Sequence, residues 1–312
     1  MAGDIFARFQ APQTSQEDDP SGSEYRRSGG VAHLQETEVL DAIDRVPSLP
    51  HIVGAILARV GDVNIKTSDL EGLIEQDMVL AGRVLKLVNS AFYRRAQPVG
   101  SIREAVSIIG FDSLRSLVLA ASTANILMVD LDPYAMTRGG LWRNSIATAA
   151  VARAIGQRTG VSENLAEEFF AAALLRDVGM LVLSPFLVRS GVRLRRTVGL
   201  DILSAERRAV GFDHAWVGDR LAEKWKLPTN LRSAISRHHR DHGAGAESHQ
   251  HIGAVRLAER LVYAAGIGVQ PDHPFATQVD SRVIKDAGMD AAGFAALCTE
   301  VPLLVRDTDP PT

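Results

Sequence analysis

The chain has 312 residues, 46% of them apolar and 23% charged, with a formal net charge of −3. That length allows one large or two moderate domains with a sizeable core, and the near-neutral charge gives no electrostatic case for binding nucleic acid. The single cysteine, Cys298, excludes an internal disulfide and fits a reducing compartment.

The opening MAGDIFARFQ has an early acid and no sustained apolar run, so it does not read as a secretory signal. Residues 11–30 are rich in Ser, Gly, Gln and acidic side chains, a composition that cannot offset its own ordering entropy. A disordered tail is therefore expected over residues 1–35, with order beginning near Glu36.

From there the pattern is helical. Pro47 and Pro50 bracket a turn before His51–Val60. Thr67 and Ser68 stand before an apolar-periodic run, with Glu71 as capping-box partner of Ser68. Leu80, Val84, Leu87, Val88 and Ala91 share one helical face, which ends in Asn89-Ser90-Ala91-Phe92-Tyr93. Ser101 caps the next helix, with Glu104 three residues on, and Leu114, Leu117, Val118 and Ala121 form the following inward stripe. The longest apolar stretches, such as Ser116–Val129, look too short to cross a bilayer. A cytoplasmic protein without a membrane segment is expected.

Gly139-Gly140 divides the chain before a second series. An Ala-rich helix occupies Leu141–Thr159. Next comes Phe169–Leu183, read as one helix apolar from end to end except for Arg176 and Asp177. A charge inside such a helix must be paired or must ligate a metal. Ser204–Trp225 is helical with an interruption near Gly211-Phe212-Asp213, and Pro228 stops it. Ile235–His239 is a short helix, His242–His251 a loop of solvated histidines, and Ile252–Ala265 another helix. Asp280 and Asp290 cap two last short helices. No alternating strand pattern competes, so the fold class is all-α, a helical bundle.

No Walker A, GxGxxG, GxSxG or zinc-type cysteine spacing is present. Instead, a series of blocks carries a resemblance. LPHIVGAILARVGD, DLEGLIEQDMVLAGRVLKLVNSAFY and SIREAVSIIGFDSLRSLVL are followed by LWRNSIATAAVARAI, FFAAALLRDVGMLVL, VGFDHAWVGDRLAEKWKLP and RHH. Over residues 39–270 this order resembles the HDOD domain, an all-helical relative of the HD metal-dependent phosphohydrolases found in bacterial signalling proteins. The resemblance implies an N-terminal helical part (36–138) packed on a degenerate HD-like part (139–270), with a helical extension over 271–312.

The parent superfamily's metal ligands are a His, a His-Asp pair and a later Asp. By resemblance these positions fall on Asn144, Arg176-Asp177 and Glu259. An arginine has no lone pair to offer and stays charged, so the metal site reads as dismantled. No catalytic residue, no metal and no cofactor are expected. His214, His238 and His239 are expected to line the adjoining cleft, hydrogen-bonded rather than metal-binding. The implied function is non-catalytic signalling through a protein partner, with room for a small ligand in the vestigial cleft. The alternative is a divergent phosphohydrolase or cyclic-nucleotide phosphodiesterase with a relocated metal. Asp77, Asn89, Ser90, Tyr93, Arg94 and Arg95 are the expected partner surface. For Asn89 and Ser90, the competing role is simply to end a helix and hold the next connection.

Overall fold

The computed structural model describes residues 34–50, 52–54, 71–72, 74–90, 97–194, 201–240, 249–306 and 308–311. Helix α1 (Glu36–Arg45) starts where order was expected, with Gln35 and Glu38 forming a capping box. Helix α2 (Met78–Val88) is capped by the Asp77 side chain and buries Leu80, Val84, Leu87 and Val88. Helix α3 (Ile102–Leu127) is capped by Ser101 and broken at Gly110, whose φ of 78° only glycine adopts without strain. A 3-10 turn (Asp132–Tyr134) then leads to α4 (Gly140–Thr159), α5 (Glu163–Leu175), α6 (Gly179–Arg189) and α7 (Ile202–Val210). Helices α8 (His214–Lys224), α9 (Thr229–Arg237), α10 (His249–Ala264), α11 (Ser281–Asp286) and α12 (Ala291–Leu304) complete the order. No strand occurs among the described residues; one isolated bridge joins Leu131 and Met136.

Helices α4, α5 and α10 pack against one another as the centre, and α9 closes against α5, α8 and α10. The N-terminal helices are docked onto this centre: α3 lies on α5, α2 on α3, and α1 on α8 and α6. The α1 dock is polar as well as apolar. The Lys224 ammonium donates to the carbonyls of Ile43, Asp44 and Val46 at 2.9, 2.7 and 2.8 Å, and Trp225 Nε1 donates to Pro47 at 3.1 Å. A cation there satisfies the orphan carbonyls of a helix C-terminus.

Four expectations are corrected. Phe169–Leu183 is not one helix: residues 176–178 form a turn, so Arg176 and Asp177 occupy the junction of α5 and α6. Directly after this turn α8 crosses α6 backbone to backbone at Gly179, where a Cβ would meet His214 O at 1.9 Å and Gly218 N at 2.7 Å. Second, the helix before His238 starts at Thr229, not Ile235, because Pro228 supplies its N-terminus as well as ending the preceding segment. Third, His251 is no solvated loop residue. It is buried on α10, bonded to Glu168 at 2.9 Å and set edge-on against Phe169. Fourth, two stretches, Ile102–Leu127 and Glu163–Arg189, are long and apolar enough to cross a membrane. Their most apolar windows are 61% and 83% buried inside the fold, as core helices are, and both are broken, at Gly110 and at residues 176–178.

Residues 1–33 of the expected tail (1–35) and the Thr67–Ser68 cap lie outside the described residues, as does most of His51–Val60; Leu34 is held by Val210, its N–H donating to that carbonyl at 3.1 Å.

Candidate functional site

Seven segments converge on one buried polar centre. Asn144 comes from α4, Arg176 and Asp177 from the α5–α6 junction, and His214 from the start of α8. His238 and His239 come from the end of α9, and Glu259 with Tyr263 from α10. Helix α7 adds Glu206, and the 3-10 turn adds Tyr134. The set assigned by resemblance is thus brought together, and so are the three cleft histidines.

Arg176 is fully buried, and all three guanidinium nitrogens face acceptors. One terminal nitrogen lies 2.8 Å from Asp177 Oδ2 and donates to the Asn144 carbonyl. The other donates to the Ala173 carbonyl at 2.9 Å, and Nε faces Glu259 at 3.4 Å. Asn144 is fixed in turn by its amide, which donates to the Ile267 carbonyl at 2.8 Å. The Tyr263 hydroxyl donates to Asp177 Oδ2 at 3.3 Å. Burial alone would weaken the charge on Arg176, but Asp177, Tyr263 and Glu259 outweigh it and raise its pKa further. Burial would likewise raise the Asp177 carboxyl, yet Arg176 and His238 hold it well below the usual carboxylate range. The guanidinium therefore lies among the positions that the resemblance assigns to metal ligands, and its N–H groups engage Asn144 Oδ1 and Asp177 Oδ2.

The other side of Asp177 is different. Oδ1 is buried without a hydrogen-bond donor, facing His238 Nε2 at 3.3 Å and His214 Nε2 at 3.5 Å. His214 Nε2 lies 3.4 Å from His238 Nε2 and 3.1 Å from His239 Nε2. The tautomers follow from the far nitrogens. His238 Nδ1 is 2.9 Å from the Ile235 carbonyl, which can only accept, so Nδ1 carries the proton. His214 Nδ1 lies 2.8 Å from the Glu206 carboxylate and donates likewise. Glu206 also accepts the His214 backbone N–H at 2.9 Å and the Tyr134 hydroxyl at 2.7 Å. Burial disfavours an imidazolium at His214, but the adjacent Glu206 charge prevails and pushes its pKa up to about 9. Burial and the neighbouring His238 push His239 down, toward the neutral imidazole. Burial raises Glu259 against the pull of His238 and Arg176.

Asp177, His214, His238 and His239 each present one donor atom, all within 4.8 Å of one another. His214 and His238 do hydrogen-bond as expected, to Glu206 and the Ile235 carbonyl, and with His239 and Asp177 they also form a cluster of metal-ligating side chains. Glu206 and Tyr134 were missed in the sequence; nothing in their spacing marks them.

The expected partner surface fares differently. The Asp77 carboxylate accepts from Val79 and Leu80 N–H, both at 3.0 Å, as a helix cap. Asn89 brackets Val99, accepting its N–H at 2.7 Å and donating to its carbonyl at 2.9 Å, while Ser90 donates to Leu87 O at 2.6 Å. These three side chains are engaged in holding the fold. Tyr93, Arg94 and Arg95 lie outside the described residues.

Comparison with known proteins matches residues 46–241 to the HDOD domain. An uncharacterized protein of Treponema pallidum is 28% identical over 229 residues, covering 72% of this chain, which spans only 43% of that relative's length. A solved HDOD domain protein of unknown function from Geobacter sulfurreducens superposes with a TM-score of 0.72 at 25% identity, covering 88% of this chain and 96% of that one. A Marinobacter aquaeolei protein, named provisionally for signal transduction, gives 0.65 at 23% identity over 91% of this chain and 62% of that one. A Shewanella amazonensis protein, named provisionally as a phosphohydrolase, gives 0.63 at 21% identity over 87% and 98%. These last two likenesses concern the fold.

Proposed function

The chain belongs to the HDOD domain family, and from that premise we propose that it is a bacterial regulatory protein acting through a protein partner rather than by turnover. The observation that carries this reading is the buried Arg176 guanidinium, held between Asn144, Asp177 and Glu259. Hydrolysis in an HD centre needs metal to activate water and hold phosphate oxygens, and a fixed guanidinium can generate no hydroxide. What remains is a rigid helical body whose centre is locked by charge. Its working surfaces are then external, the cell compartment is the reducing cytoplasm, and neither nucleic acid nor a membrane is the target.

A second reading has one observation in its favour. Asp177 with His214, His238 and His239 retains metal-ligating chemistry, so a divergent phosphohydrolase with a relocated metal stays in competition. Against it, Asp177, His214 and His238 are buried and only His239 is partly open to solvent. Turnover decides between them. Tag-free protein loaded with Mn²⁺, Fe²⁺ or Zn²⁺ is assayed on p-nitrophenyl phosphate and on cyclic mono- and dinucleotides. The regulatory reading expects no release above buffer; hydrolysis that disappears in Asp177→Asn sinks it.

A further inference from the structure

We infer that Asp177 bridges two unlike cations: the Arg176 guanidinium at Oδ2 and a single first-row transition-metal dication at Oδ1, the ion completed by Nε2 of His214, His238 and His239. The inference stands apart from the regulatory reading, since an ion can be resident with or without turnover.

Geometry is the first support. Four donors on ~2.1 Å bonds around one tetrahedral ion sit about 3.4 Å apart. Four of the six donor–donor separations here are 3.1, 3.3, 3.4 and 3.5 Å, and all six lie within 4.8 Å. Protons alone serve this arrangement poorly. With Nδ1 of His214 and His238 committed to Glu206 and the Ile235 carbonyl, the Nε2 atoms bring lone pairs to one point that Asp177 Oδ1 also faces. One proton on His214 Nε2 can satisfy a single acceptor and leaves the others opposed.

Charge permits the ion. Three carboxylates are buried in the centre, Asp177, Glu206 and Glu259, beside the permanent cation Arg176, so a dication among three neutral imidazoles leaves no net charge buried there. The ligand set also names the class of ion: imidazole-rich donors suit Zn²⁺, Fe²⁺ and their neighbours rather than Mg²⁺ or Ca²⁺, which take oxygen. Glu206, itself held by Tyr134, is then a positioning residue that fixes the His214 ring and its tautomer, the usual role of a carboxylate behind a histidine ligand. Entry is past His239, the least buried of the four.

The test uses full-length protein with its tag removed. Metal is measured by mass spectrometry as isolated, then after stripping with dipicolinate, and Zn²⁺ and Co²⁺ are titrated back by calorimetry and visible absorption. One ion per folded chain is expected, with the intense Co²⁺ d–d bands of a four-coordinate nitrogen-rich site. His239→Ala should abolish binding, and Glu206→Gln should weaken it 10- to 100-fold without changing stoichiometry; His242→Ala should leave it intact. Should His239→Ala fail to fold, wild type and Glu206→Gln still decide. Folded wild type that takes up no ion overturns the inference and leaves a proton-filled cluster. So does an ion retained undiminished in His239→Ala, or one lost in His242→Ala alone. None of these results bears on whether the chain turns over a substrate, and turnover would not by itself remove the ion.

Discussion

Replacing Arg176 is the sharpest perturbation of this centre. The side chain has no solvent exposure, contacts Asp177 at 2.8 Å and Glu259 at 3.4 Å, and donates to two further carbonyl oxygens, on Ala173 and Asn144. Arg176→Ala strands two buried carboxylates and opens a cavity in the same step. Removing one partner of a buried ion pair costs roughly 3–5 kcal/mol, whereas an exposed pair would cost about 0–1 kcal/mol. Against a typical total of about 5–15 kcal/mol, the variant should keep only part of its stability. Arg176→Met keeps most of the volume, so it separates lost charge from lost packing and should fall on the same side of 2 kcal/mol, a threshold set roughly midway between those ranges. Urea unfolding of chelator-stripped protein, followed by far-UV circular dichroism, gives both values. A loss under about 1 kcal/mol for Arg176→Ala would mean that the guanidinium does not neutralise the centre, and the reasoning would fail with it.

Three other outcomes follow from named contacts. Lys224→Met removes the ammonium from three carbonyls at the end of α1; a loss of about 1–3 kcal/mol is expected, with faster amide exchange confined mainly to α1, and uniform exchange would contradict the assignment. Asn89→Ala breaks both bonds to Val99 and should cost roughly 1–2 kcal/mol while leaving metal uptake unchanged, as measured by the same unfolding curves and calorimetry. Cys298 is buried, and burial pushes its thiol up to about 11, so Ellman's reagent at pH 8 should react only as the protein unfolds; rapid stoichiometric reaction in the native state would place the thiol elsewhere.

Much of the fold was legible because local chemistry and tertiary structure agree. Ser101 and Asp290 cap the helices they precede, and Leu114, Leu117 and Val118 turn inward at helical spacing. The α5–α6 junction was read through as continuous helix because nothing local opposes helix there except Gly179. The turn there adjoins the crossing of α8 at that glycine, a contact made by residues 35 or more positions further along. The charged half of the site was readable from Arg176 and Asp177 as ions stranded in an apolar run. The imidazole half was not, since Asp177, His214 and the His238-His239 pair are joined only by the packing of α6, α8 and α9. The one visible signal was two adjacent histidines at a helix end. Glu206 gave none: an acid eight residues before a histidine, on another helix, has no sequence signature, yet it sets that histidine's tautomer.

The central claim is that a guanidinium has taken the place of a metal ion in an HD-type centre. Metal stoichiometry at saturation tests it most directly, measured on tag-free protein equilibrated with excess Mn²⁺ or Fe²⁺ and then desalted. The account predicts no more than one ion per chain, with Arg176 still required for the folded state's full stability. Two ions per chain would contradict it, because the second could enter only by displacing Arg176 from Asn144, Asp177 and Glu259.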